Sequence, residues 1–389
     1  MGSDVQNAAM RDLTPVAAAG MFVFGIVVAL LGAVMPVLSE RLSLGLGDVG
    51  TLFLVMNGAM LAASLLVGPL MDRLGMKAPL ALGILLVGAS LAAVAVVSSF
   101  AAMLLAVACL GFGGGAINAS ANTLVADLHD DPDAKGSALN LLGVFYGIGA
   151  LLLPFSVGVL VAAVGLPALL FASAALCLAT ALVALALPFP APKQTHGWPI
   201  AQAGRFLRMP LVLALAFLLF FESGNEFILG GYFATFLTQA LGMPAASASY
   251  PLAAYWAAIL VARLALSRGL LARTGAHAAV MVGALLALAG ALSVAFAPSV
   301  PVAAAGIVLT GMALAGIFPT VLGVAGARFP EHSGTVFGIL FTVALTGGMT
   351  MPWLAGHLAA WAGLRLVFVL VAANFAAVAV LNAVARRPY

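Results

Sequence analysis

Charge is what this 389-residue sequence has least of. Asp, Glu, Lys and Arg together make up 7%, against about 25% in soluble domains. Hydrophobic residues reach 64% and the mean hydropathy is +1.21, so the chain belongs in lipid. The formal net charge of +3 does not argue for nucleic acid, because the basic residues lie in short loops on one side. There are two cysteines. Cys109 and Cys177 both fall inside apolar runs, which speaks against a disulfide framework or a metal site and makes them small core residues. No phosphate-binding glycine loop ending in Gly-Lys-Ser/Thr occurs, which excludes ATP hydrolysis as the energy source. The acids of His129-Asp-Asp-Pro-Asp133 are spaced too irregularly for a calcium loop. No metal or cofactor is expected. A cleavable signal is not expected either, since the first apolar run, 16–38, is too long for one. Lipidation is not expected, because Gln6 stands where a myristoylation motif needs Ser or Thr.

What is present is a succession of long apolar runs. They lie near 15–38, 49–70, 79–98, 101–127, 137–163 and 165–189, then near 211–237, 247–267, 276–297, 299–325, 335–358 and 361–384. Each approaches or exceeds the roughly 20 residues that cross a bilayer as helix, and lipid demands helices because they satisfy their own backbone. The fold expected is an all-α integral membrane protein of twelve transmembrane helices. Two six-helix bundles, 1–190 and 209–389, flank a polar linker at 191–208. With both termini cytoplasmic, the inner side holds Arg11, Arg73, Lys77, Lys135, Lys193, Arg205, Arg208, Arg268, Arg273, Arg328, Arg386 and Arg387. The outer loops then hold only Arg41 and Arg365, and the excess of inner positive charge fixes this orientation.

The halves echo each other. A shift of 198 residues lays Gly113 on Gly311, Gly136 on Gly334, Gly149 on Gly347, Pro154 on Pro352 and Gly158 on Gly356. Repeated halves are how secondary transporters build a midplane site between two rocking bundles.

The seventh run, Leu211 to Leu237, carries Glu222 and Glu226 in its middle. A charge at that depth costs roughly 3 kcal/mol or more and marks a substrate or proton path. Spacing i, i+4 puts both carboxylates on one face, Cβ atoms roughly 6 Å apart. They oppose each other's ionisation, which makes them candidates for carrying a proton; a pair quenched by hydrogen bonds for packing is the alternative. Gly224, Gly230 and Gly231 weaken this helix where a transporter would bend it.

Between the second and third runs stands GPLMDRLGMK, from Gly68 to Lys77. It resembles the loop signature of the major facilitator superfamily, G-x-L-x-D-R-x-G-x-K/R, at Gly68, Leu70, Asp72, Arg73, Gly75 and Lys77. Its glycines are expected to allow a tight turn and close helix approach. By that resemblance these residues form a conformational latch and do not touch solute. The counterpart from Gly269 to Gly275 is degenerate and one residue shorter.

Four further segments resemble the fucose/glucose–proton symporter-type branch. They are Gly224-Asn-Glu226 with Tyr232, Gly113-Gly-Gly115 with Asn118 and Asn122, Asn140 through Tyr146 and Gly149 to Pro154, and Ile317-Phe-Pro-Thr320. Gly143 stands where that branch is expected to carry His, and the first run holds no acid. The resemblance implies proton-coupled symport of a sugar or similar small polar solute by alternating access. Proton-driven efflux of a more apolar compound, and a transport-dead sensor on the same scaffold, are the alternatives.

Glu226 and Glu222 are thus the candidate proton carriers. Asn118 and Asn122 share a helix face, and their amides both donate and accept, which suits hydroxyl-rich ligands; interhelical bonding is their other use. Asn57, Asn140 and Asn225 are further candidates, and Tyr146, Tyr232, Tyr255 and Trp256 could stack on a sugar face or simply pack. Arg263, near the inner end of the eighth run, could snorkel to the interface or form a gating ion pair. His357 reads as interfacial. The expected partners are a small-molecule solute, protons and the bilayer. The setting expected is the inner membrane of a bacterium, with the chain acting as a monomer and not as an enzyme.

Overall fold

The computed structural model describes residues 13–128, 132–190, 204–266 and 275–386, and every long element among them is helical. In chain order these are α1 (Thr14–Leu42), α2 (Leu46–Leu74), α3 (Lys77–Val96), α4 (Phe100–Leu128), α5 (Pro132–Ala186) and α6 (Pro210–Gln239). They continue as α7 (Ala245–Ala265), α8 (Ala276–Ala295), α9 (Val300–Leu314), α10 (Ile317–Arg328), α11 (Ser333–Ala362) and α12 (Leu364–Ala385). Among the described residues, 11 stretches are long and apolar enough to cross a bilayer, with α9 and α10 counted as one. One of them, Ser137–Ala186, has 50 residues, about 75 Å of helix against a hydrocarbon core of about 30 Å. It breaks at Gly165, whose φ of 79° and ψ of 156° are not helical, and so supplies two spans. The described spans therefore number twelve, 11 with one counted twice. Gly363, 198 residues further on, breaks the chain in the same way between α11 and α12, with φ 88° and ψ 161°.

The repeat continues into the packing. A Cβ on Gly149 would run into the carbonyl of Phe22, and one on Gly347 into that of Phe220. Both glycines and both carbonyls are 198 residues apart, so α1 lies on α5 as α6 lies on α11. The fourth and tenth spans require a correction. Gly83 faces the Gly113 carbonyl as Gly283 faces that of Ala313, and Gly111 and Gly311 abut the carbonyls of Met56 and Tyr255. There the glycines are 200 residues apart, and their partner carbonyls 200 or 199, so Gly311 answers to Gly111 and not to Gly113. Loops on either side absorb the two-residue difference.

Two arginines close the last turns of α3 and α8, whose carbonyls have no partner within the helix and favour a cation. Arg41 donates to Ala95 O, Val94 O and Val97 O, each at 3.0 Å. Arg365 donates to Ala295 O at 2.8 Å and Ala297 O at 3.0 Å. The carbonyls of Ala95 and Val97 correspond across the repeat to those of Ala295 and Ala297, yet one arginine comes from the end of α1 and the other from the start of α12.

The chain divides into two compact units, residues 1–43 with 55–196, and residues 44–54 with 197–389. The first turns of α2 thus group with the second unit, where Gly50 abuts the carbonyls of Pro352 and Trp353. The sequence alone assigned them to the first bundle.

Candidate functional site

Polar groups collect in the middle of α6. Pro210 starts this helix where a missing N–H costs nothing, and its 30 residues carry Glu222, Asn225 and Glu226 at mid-length. Glu222 is fully buried, and neither carboxyl oxygen has a hydrogen-bond partner among the described residues. A charge in that place would be expensive. One turn on, Glu226 is 14% exposed and faces Arg263 of α7, Oε2 to Nη2 at 3.9 Å. That separation is too long for a hydrogen bond and short enough for strong attraction in a poorly solvated site. The Arg263 Nε also donates to Ala315 O, just past α9, at 3.4 Å.

One further turn along α6, a Cβ on Gly230 would sit 3.0 Å from the Trp256 ring. Trp256 and Arg263, seven residues apart, share a face of α7. So the face of α6 bearing Glu222, Glu226 and Gly230 meets the face of α7 bearing Trp256 and Arg263. Of the two readings of Arg263, an interface or an ion pair, the 3.9 Å approach to Glu226 favours the ion pair.

Other candidates on α6 and α7 are engaged in packing. Asn225 is buried, donates to Val371 O at 3.3 Å, and accepts from Asn374 of α12 at 2.9 Å. The buried Tyr232 hydroxyl donates to Pro352 O at 2.9 Å, with its ring 5.9 Å from that of Phe53. Tyr255 and Trp256 are buried edge to face, ring centroids 5.2 Å apart. Of the residues offered for stacking on solute, these three lie inside the second unit.

In the first unit, Asn122 donates to Asn118 Oδ1 at 2.9 Å and to Asn118 O at 2.8 Å, and reaches Met21 Sδ at 3.8 Å. Both amides are half-buried. Tyr146 is half-buried and packs on Phe24, ring centroids 5.5 Å apart. Asn118 and Asn122 on α4, Tyr146 on α5, and Met21 and Phe24 on α1 thus form two contact groups that meet on α1, three residues apart and hence on neighbouring positions of one face. Asn57 is buried in α2, and Asn140 is exposed on α5. The sequence reading did not find Met21, Phe24 or Asn374. Asn374 could have been found, being an amide within an apolar run; the other two look like any lipid-embedded side chain.

At the loop signature, Gly75 has φ 75° and its N–H donates to Met71 O at 2.8 Å, ending α2 in a tight turn. Around Gly68 nothing described lies within 4 Å of a Cβ. Arg73 is exposed and Lys77 half-buried. The side chain of Asp72, and the basic residues Arg11, Lys193, Arg268, Arg273 and Arg387, lie outside the described residues.

The sequence profile of the major facilitator superfamily matches residues 17–224 and again 215–388. The chain belongs to that superfamily. Its members' two-fold architecture is what the repeat reports, and the protein is a transporter rather than an enzyme. Similar solved structures include a point mutant of the nucleoside transporter NupG. It is 16% identical, covering 96% of this chain and 99% of that chain, with a TM-score of 0.80. The E. coli fucose:proton symporter FucP is 17% identical over 98% of this chain and 100% of its own, with a TM-score of 0.67. The human organic anion transporter MFSD10 is 22% identical over 96% of this chain and 99% of its own, with a TM-score of 0.68. These likenesses show the fold. A comparison with curated proteins finds no match.

Proposed function

We propose that this superfamily member couples a small polar solute, a sugar or a similar compound, to protons by alternating access. The observation that carries the reading is the grouping of Glu222, Glu226 and Arg263 at the middle of α6, with Glu222 buried and lacking a hydrogen bond. In a helix otherwise lined by Phe220, Phe221 and Phe227, a buried carboxyl group with no hydrogen bond among the described residues is best explained as a proton carrier. The nucleoside transporter and the fucose:proton symporter of like fold agree with a polar solute, and the latter with protons. Glu226 exchanges the proton, and Arg263 senses whether Glu226 is charged. Within the first unit, Asn118 and Asn122 offer amide donors and acceptors, and Tyr146 packs on Phe24 as an apolar wall. The chain sits in a bacterial inner membrane with both termini in the cytoplasm, as its basic loops favour.

The test uses proteoliposomes and a panel of radiolabelled sugars and nucleosides. Glu226→Gln keeps the shape of the side chain but cannot release a proton. It should lose accumulation against a proton gradient by tenfold or more, yet retain exchange of labelled for unlabelled solute. Full accumulation by this variant would refute the assignment.

A further inference from the structure

Arg263 carries more donors than its neighbours use. A guanidinium presents five N–H groups in a planar fork. Its Nε reaches Ala315 O at a long 3.4 Å, and its Nη2 stands 3.9 Å from Glu226, beyond hydrogen-bond reach. Among the described residues no other acceptor engages it. The side chain is 29% exposed. A fork with open donors at the depth of mid-α6 matches an oxyanion in both charge and shape. Glu222 and Glu226 are the acids of α6. On the helices packed against α6, Arg365 at the start of α12 is bound to the end of α8, His357 within α11 is bound to Trp353 O, and Arg328 ends α10.

We propose that Arg263 binds an oxyanion of the transported solute, a carboxylate or a phosphate, in competition with Glu226. This rests on the proton-coupled reading above and narrows its solute to an anion. While charged, Glu226 holds the guanidinium loosely across its 3.9 Å gap. A proton on Glu226 removes that competitor, and a bidentate oxyanion takes its place on the fork. Proton and anion then raise each other's affinity, as linkage requires. The pair Glu226–Arg263 has the same net charge empty as it has with one proton and one monoanion bound. The loaded unit therefore crosses without moving net charge.

The experiment is binding to the purified full-length protein, read as thermal stabilisation. The probes are matched pairs: glucuronate against glucose, benzoate against benzamide, and uridine monophosphate against uridine. At least one anion should bind tenfold or more tightly than its neutral partner. Arg263→Gln should lose that preference, while Arg263→Lys, which keeps the charge without the fork, should retain part of it. Glu226→Gln should bind the anion at least as tightly as the wild type. The unliganded melting temperature shows whether each variant is folded. Equal binding by both members, preference for the neutral ones, no stabilisation by any of the six, or a preference that survives Arg263→Gln would overturn the proposal. If Arg263→Gln still accumulated a neutral solute on a proton gradient in a Glu226-dependent way, this inference would fall and the proton-coupled reading would stand. Accumulation indifferent to Glu226→Gln would instead strike the reading itself.

Discussion

Asn225 and Asn374 join α6 to α12 through a 2.9 Å hydrogen bond, and Asn225 spends its own donor on Val371 O. Both side chains are buried, so removing either leaves the other with an unmet amide. A double-mutant cycle with Asn225→Ala and Asn374→Ala should give a coupling of about 0.6 kcal/mol, with about 1.7 as the upper end for membrane proteins. Thermal unfolding in detergent reads it, and strict additivity would show the contact to be idle. Tyr232→Phe tests the same idea from the side of function. Deleting the donor to Pro352 O should lower stability by about 1 kcal/mol and leave solute affinity unchanged. A large loss of affinity would return Tyr232 to the solute. At this scale the sequence shows which polar residues lie at membrane depth, and little about their use. Asn118 with Asn122 and Asn225 are alike as amides in apolar runs; rotation of each helix decides that the first two are half-buried and the third is locked between helices. Arg263 was ambiguous for a related reason. Its distance along the eighth run suggests an interface, whereas the packing of α7 on α6, which no run length encodes, brings it to Glu226.

Helix contacts set by backbone approach give the next scale. Gly149 on α5 lies against the Phe22 carbonyl, while Gly143, less than two turns away on the same helix, has nothing described within 4 Å of a Cβ. Gly149→Ala should push α1 and α5 apart at a cost of roughly 1–3 kcal/mol. Gly143→Ala should be neutral or stabilising by up to about 1 kcal/mol, since alanine is the better helix former. Melting temperatures of the two variants check this, and equal shifts would mean that the α1–α5 contact does not constrain the fold. The spans themselves were legible in the sequence, because hydropathy and the demand for backbone pairing in lipid leave one solution. Which carbonyl each glycine meets was only half legible. The 198-residue shift holds for Gly149 and Gly347 but fails for Gly111 and Gly311, since a small length difference in loops is invisible when glycines are frequent on both sides.

For the whole molecule, the repeat and the loop signature from Gly68 to Lys77 imply a protein that works by changing state. We propose that the signature latches one state. Asp72→Asn should leave insertion and melting temperature unchanged and alter the transport rate several-fold, because a latch holds an equilibrium between states and not the fold. Cysteine-accessibility profiles from both sides of the membrane, identical to wild type together with an unchanged rate, would remove that role. The central claim concerns α6: solute movement carries protons through Glu226. It is tested most directly by recording external pH in a lightly buffered suspension of proteoliposomes while solute is added. Wild-type protein should alkalinise the medium as solute enters, with an initial rate proportional to solute uptake, and Glu226→Gln should show no such change. Solute entry without alkalinisation in the wild type, or alkalinisation undiminished in Glu226→Gln, would contradict the account.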